Sequence, residues 1–326
     1  MTIPPRRLVT TLPSTAMATP SAAVPRSASR ISIALALGAL YLVWSSTYLG
    51  IRIALEGGWP ALMGVSGGRM LVAGALLFAV LRLRGVPAPR ARQWPALALL
   101  GVAMLLFGNG MVVMAEKHVA SGLAAIAIAS TPLWIGLFGM FAGHHPSRGE
   151  WLGIAIGFAG VIWLNAGSSL SASPGGLVLL LIAPVGWAFG SIWSRGRDLP
   201  HPFMAAAAQM LCGGAMLVAL GLATGERWPK APTAQGTAAL LYLAVFGSIV
   251  GYGAYLWLLN HVRPALASSY AYVNPPLAVL LGAWLGGERF GLHDLGALAL
   301  ILVGVVAIAR AKARIPAPSA SDAEAA

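Results

Sequence analysis

The chain is punctuated by long stretches that carry no charge. Residues 31–51, 95–115, 119–142, 202–222, 238–259, 264–285 and 295–309 contain no Asp, Glu, Lys or Arg, and residues 61–81 contain only Arg69. Residues 151–194 form a further charge-free run of 44 residues. A helix that crosses a bilayer needs about 20 apolar residues. The 44-residue run is therefore long enough for two spans, and the segment Asn165 to Gly176, rich in Ser and Gly, supplies the turn between them. The count is ten spans. In lipid every backbone N–H and C=O must be paired within the protein, so runs of this length fold as helices. The predicted fold is an all-α membrane protein with ten transmembrane helices in two inverted five-helix repeats, in contact with a lipid bilayer. With 58% hydrophobic and 9% charged residues, the composition excludes an ordinary soluble enzyme and a disordered chain, since soluble domains carry about 25% charged residues.

The net charge of +12 would suggest nucleic acid as the partner of a soluble protein. Here the basic residues lie between the apolar runs, so no nucleic-acid partner is expected and the charge is read as topology. With the N-terminus inside, the inner segments hold 15 Lys and Arg and the outer segments hold 4, namely Lys117, Arg227, Lys230 and Arg289. That bias places both termini in the cytoplasm under the positive-inside rule. Residues 1–30 and 310–326 read as disordered cytoplasmic tails, leaving repeats at 31–167 and 175–309. Cys212 is the single cysteine and reads as a small buried apolar residue.

The halves echo each other at a spacing of 143 residues. Trp44 pairs with Trp187, Gly108-Asn109-Gly110 with Gly251-Tyr252-Gly253, His118-Val119 with His261-Val262, Thr131-Pro132 with Asn274-Pro275, and Leu152-Gly153 with Leu295-Gly296. Around Arg69 the spacing slips to 140, which sets Arg69-Met70-Leu71 against Gln209-Met210-Leu211. Five spans per half is an odd number, so the second half enters the membrane from the opposite side. Many secondary transporters are built from such inverted repeats, with substrate bound near the midplane between them.

At this point the sequence resembles a known family. Trp44-Ser-Ser-Thr-Tyr48, Gly68-Arg69, Gly108-Asn-Gly110, Ala115-Glu116, Ser130-Thr-Pro132, Glu150-Trp-Leu-Gly153, Trp187-Ala-Phe-Gly190, Phe246-Gly-Ser248 and Pro264 to Pro275 match the ten-helix EamA family of the drug/metabolite transporter superfamily. One departure is His293-Asp294, where the first repeat has Glu150-Trp151. The resemblance implies ten helices around a central cavity, alternating access, and export of amino acids and related small metabolites.

The candidate site residues follow from polarity at membrane depth. Arg69 lies in mid-span, where a charge costs about 2.5–3.5 kcal/mol on insertion scales. It needs a cavity, a structural partner or a substrate carboxylate, and its planar fork suits the last. Trp44, Thr47 and Tyr48 belong to a polar, aromatic patch in the first span that either lines the cavity or bonds neighbouring helices. Trp187 is the repeat mate of Trp44. Tyr270, Tyr272 and Asn274 in the ninth span, with Asn109 and Tyr252, complete the expected substrate-binding set. Pro132 and Pro275 free backbone carbonyls one turn back and are the candidate gating positions. Arg52 and Glu56 are spaced to form a local ion pair. Glu116 ends the third span and reads as a solvated helix end, with a protonatable coupling residue as the alternative. The histidines fall in loops or at helix ends, so no metal is expected, and no cofactor. Gly64-Val-Ser66-Gly-Gly68 fits the G-x-S-x-G pattern of serine hydrolases, but its small residues read as helix packing. The chain has no Gly-x4-Gly-Lys-Ser/Thr loop for ATP, so a gradient, protons being the candidate, supplies any energy used. The function expected is export of a small, carboxylate-bearing metabolite. A broad-range drug or amphiphile exporter is the alternative, and an intramembrane hydrolase using Ser66 a remote one.

Overall fold

The computed structural model describes residues 29–143, 146–167, 173–262, 266 and 269–313. The tails, His144-His145, Pro264 and Ser268 lie outside the described residues, apart from residues 29–30 and 310–313 at the tail edges. Among the described residues the structure is all-helical. It comprises α1 (Arg30–Glu56), α2 (Ala61–Leu83), α3 (Ala91–Ala115), α4 (Ser121–Phe141), α5 (Arg148–Gly167), α6 (Pro174–Trp193), α7 (Pro202–Ala223), α8 (three continuous pieces, Ala234–Tyr242, Leu243–Val250 and Gly251–His261), α9 (Tyr270–Trp284) and α10 (Leu292–Ala313). Eight of these are long and apolar enough to cross a membrane, while α5 and α9 complete the ten. The polypeptide is an all-α membrane protein of two five-helix repeats.

Exposed Leu, Val, Phe and Trp side chains cover its flanks, as expected where the solvent is lipid. Without a hydrophobic force between helices, close approach of small residues carries the packing. The α5–α10 pair is the clearest case: a Cβ on Gly153 would sit 2.7 Å from the Gly304 carbonyl oxygen, and one on Gly304 2.5 Å from that of Gly153.

Three stretches are wound as π-helix: Ala61–Gly68 in α2, Gly101–Gly110 in α3 and Leu243–Val250 in α8. The second and third are repeat mates. The first has none, because the equivalent part of α7 is ordinary α-helix. Arg69 follows directly on that unmatched stretch.

Helix α4 is broken between Ile128 and Thr131. Pro132 has no N–H for the Ile128 carbonyl, and the Thr131 hydroxyl takes that carbonyl instead at 2.7 Å. Ser130 Oγ donates to the Ala127 carbonyl at 2.7 Å. The 143-residue spacing places the matching break beside Pro275. In the structure the helix that carries Pro275 starts at Tyr270, directly after Ser269, which lies six residues ahead of the proline. Ser269 N and Oγ donate to the Leu266 carbonyl at 3.2 and 2.6 Å, and Tyr272 N and Val273 N both bond the Ser269 carbonyl, repeating the pattern at Ser130. Pro275 and Pro276 therefore lie inside α9 rather than at its start.

Candidate functional site

Arg69 is buried, 4% exposed, where α2, α3 and α8 meet. Its Nη2 donates to Asn109 Oδ1 at 2.7 Å, and its Nε has no partner. Among the described residues no carboxylate pairs with it. The widened winding of Gly101–Gly110 sets Asn109 opposite Arg69, and that of Leu243–Val250 brings Gly247 to the same place. A Cβ on Gly247 would sit 3.0 Å from Thr47 Cγ2 and 3.9 Å from Arg69 Nη1. π-winding of this kind often marks functional positions.

Trp44 stands next to this pair and donates from Nε1 to the Gly247 carbonyl at 3.3 Å. Its ring meets Tyr252 at 5.6 Å, Tyr255 at 5.6 Å and Tyr270 at 5.0 Å, and Trp187 meets Tyr252 at 6.3 Å. Edge-on pairs at these distances are each worth about 0.5–1.5 kcal/mol beyond area burial. The absence of a side chain at Gly251 makes the arrangement possible, because a Cβ there would lie 2.2 Å from Trp44 Nε1. Arg69, Asn109, Thr47, Trp44, Tyr252, Trp187 and Tyr270 therefore form one polar, aromatic cluster shared by both repeats.

The other expected site residues lie apart from it. Tyr48 and Tyr272 pack against the apolar core around Leu123, Ile126 and Leu133. Asn274 is buried with Oδ1 unpartnered. Pro132 sits at the break of α4, and Pro275 inside α9. Tyr255 is a fuller member of the cluster than its sequence position suggests. Ser66 is fully buried and its hydroxyl has no hydrogen-bond partner, so no base activates it. Its neighbour Gly67 packs within 2.8 Å of Val218, by the measure of an added Cβ.

Two readings of the acidic residues change. Glu116 is not a solvated helix end: it is 6% exposed, and neither carboxylate oxygen has a hydrogen-bond partner. The folded chain closes over that end of α3, and burial, helped by the nearby Glu288 carboxylate, holds its carboxyl well above the ordinary carboxylate range. Arg52 pairs with Glu56 at 2.8 Å as expected, and also with Glu288 at 2.8 Å, a partner 236 residues away. Glu288 in turn accepts from Ser121 N at 2.8 Å, Ser121 Oγ at 2.7 Å and Gly122 N at 3.0 Å. It caps the first turn of α4 and ties α1, α4 and the α9–α10 loop together.

The departure at His293-Asp294 also resolves. Asp294 Oδ2 accepts from Gly291 N at 2.9 Å, as Glu150 Oε2 accepts from Ser147 N at 2.9 Å. Each carboxylate caps the last helix of its repeat. The second repeat has one extra residue before the cap, so the pairing runs at 144 rather than 143.

Comparison with known proteins agrees with this architecture. The chain is 47% identical over 272 residues to the "Uncharacterized inner membrane transporter YedA" of Escherichia coli (strain K12), covering 83% of this chain and 88% of that protein. It is 28% identical over 272 residues to the "Probable terminal-alkyne amino-acid exporter" of Streptantibioticus cattleyicolor, covering 81% and 89%. A solved crystal structure with 21% identity superposes with a TM-score of 0.59, over 86% of this chain and 98% of that one, and so shares the fold. Residues 30–166 and residues 174–310 each match the EamA-like transporter family. The chain belongs to the EamA-like transporter family, as a multi-pass membrane transporter and not an enzyme.

Proposed function

We propose that the protein exports a small, carboxylate-bearing metabolite, an amino acid or a related solute, across a bacterial inner membrane by alternating access. The observation that carries this reading is Arg69, a buried guanidinium with one neutral partner, Asn109, and no ion-paired carboxylate among the described residues. Such a charge at membrane depth is stable only with a counter-charge or water, and a substrate carboxylate supplies the first. Trp44, Thr47, Tyr252, Trp187 and Tyr270 face the body of the solute beside that anchor, with Tyr48, Tyr272 and Asn274 reached as the helices move. The breaks at Ser130-Thr131-Pro132 and Ser269, together with Pro275 inside α9, give the half-helices freedom to gate. Both termini lie in the cytoplasm, on the strength of the basic bias between loops. The repeats are residues 31–167 and 175–309, and protons are the coupling ion.

The test is thermal stability of the purified protein against amino acids, organic acids, polyamines and cationic dyes. A ligand that binds only the folded state adds about 2.7 kcal/mol at one hundred times its Kd. Carboxylate solutes should stabilise the wild type and fail to stabilise Arg69→Ala, while Arg69→Lys retains a weakened response because it keeps the charge and loses the fork. The aromatic cluster around Trp44 favours a second reading, a broad-range amphiphile exporter. Stabilisation by cationic dyes alone, unchanged in Arg69→Ala, would select that reading and remove Arg69 as the anion site.

A further inference from the structure

We propose that Glu116 is a proton-binding site that controls whether the Glu56 end of the bundle stays closed. At that end three carboxylates, Glu56, Glu116 and Glu288, lie around one guanidinium, Arg52, which pairs with the first and the last. Arg52 is paired with two of them: Nε holds Glu56 and Nη1 holds Glu288. Glu288 is fully engaged, by Arg52 and by the Ser121 and Gly122 donors. Glu116 has nothing, with both oxygens buried and unpartnered.

Among the described residues the surroundings supply no other partner. From α1 come Tyr48 and Arg52, from α2 Arg69, from α4 Ser121, and from the α9–α10 loop Glu288. The adjoining Lys117 and His118 are exposed. The α6 helix, which packs on the last turn of α3, carries no charged residue. Arg69 and Arg52 attract a charge on Glu116, but burial, the largest influence, and Glu288 both oppose it and prevail.

A bare carboxylate in such a place carries a large desolvation penalty. A protonated carboxyl does not. The closed arrangement therefore holds Glu116 in its neutral form. Loss of that proton places a second anion beside Glu288, in competition for Arg52, and is relieved by opening this end so that water reaches Glu116. Proton uptake closes the end and proton release opens it. The inference needs no substrate and stands whether or not Arg69 binds a carboxylate.

The test is hydrogen exchange of the Ser121–Gly122 amides, which donate to Glu288, in the full-length protein in nanodiscs across pH. Protection is referenced to the unfolded peptide, which removes the intrinsic pH dependence. One linked proton makes protection fall about tenfold per pH unit between the carboxyl's ordinary value, which it has when the end is open, and its raised value in the closed state. The wild type should show that fall. Glu116→Gln, permanently neutral, should stay protected throughout, and Glu288→Ala should be unprotected at every pH. If the Gln variant does not fold, Glu116→Leu replaces it as the neutral form, and Glu116→Asp should keep the fall. Flat protection in the wild type would overturn the proposal. So would a fall that survives in Glu116→Gln or Glu116→Leu, which would assign the titration to another group.

Discussion

Replacing Glu288 by Ala should be among the most destabilising single changes at the Glu56 end of the bundle, and the reason is helix capping more than ion pairing. The Glu288 side chain is 2% exposed and its carboxylate accepts the Ser121 and Gly122 amides that open α4. Truncation leaves two buried N–H groups without partners, at about 1–3 kcal/mol each. Arg52 is 30% exposed and keeps Glu56, so its lost pair with Glu288 is discounted to about 0–1 kcal/mol. The expected loss is about 3–5 kcal/mol, the range in which breaking a buried pair falls. Arg52→Ala leaves the three donors of α4 in place and should cost less, about 1–2 kcal/mol, for a charge that keeps its hydrogen bonds. Equilibrium unfolding in mixed detergent–SDS micelles, followed by circular dichroism, measures both. A loss below about 1 kcal/mol for Glu288→Ala, the scale of an exposed pair, would refute the capping argument. A larger loss for Arg52→Ala than for Glu288→Ala would do the same, and would make the ion pair the tie between the helices.

Three further outcomes follow from the geometry. Gly251→Ala places a Cβ 2.2 Å from Trp44 Nε1, so the indole must leave its Gly247 bond; the strain is about 1–3 kcal/mol, read as a lower unfolding midpoint and a shifted tryptophan emission. Glu226 accepts from Leu62 N at 3.1 and 3.0 Å and from Met63 N at 2.7 Å, so Glu226→Ala should lower stability by about 0.5–2 kcal/mol as a lost cap, with Glu226→Gln recovering part of it. Glu116 holds its proton more tightly folded than unfolded, so its contribution is present below the ordinary carboxylate value of 4.5 and is lost as pH rises toward the folded value. Unfolding midpoints measured against pH should decline over that window in the wild type and stay flat in Glu116→Gln.

The class of fold was legible because a bilayer leaves few alternatives: charge-free runs of 20 or more residues dictate helices, and an odd count per repeat dictates inversion. The cluster around Arg69, the candidate site, was legible for a related reason. Arg69, Asn109, Trp44, Tyr252 and Tyr270 carry a charge, an amide, an indole N–H or a phenol at depths where lipid offers no hydrogen-bond partner, and the structure brings them together. What escaped the sequence depends on contacts across the repeats. Glu288 sits in a loop and looks like any surface acid until α1 and α4 close on it. Glu116 follows an apolar run and precedes Lys117 and His118, so its neighbours in sequence announce solvent while its neighbours in space exclude it. The π-winding left no sequence mark, since Gly, Ala and Leu serve either winding.

The break in α9 shows the limit of pattern matching most clearly. Thr131-Pro132 and Asn274-Pro275 align at a spacing of 143, and that alignment places the break at the proline. Yet the residue that immediately precedes the half-helix in both repeats is the serine, whose hydroxyl takes the carbonyl three residues back at 2.7 Å in Ser130 and 2.6 Å in Ser269. A side chain that satisfies that carbonyl lets the backbone turn without leaving a polar group bare in lipid. Proline only forbids a bond; serine supplies its replacement. In α4 the two lie two residues apart and the distinction is invisible. In α9 they lie six apart, and the break goes with the serine.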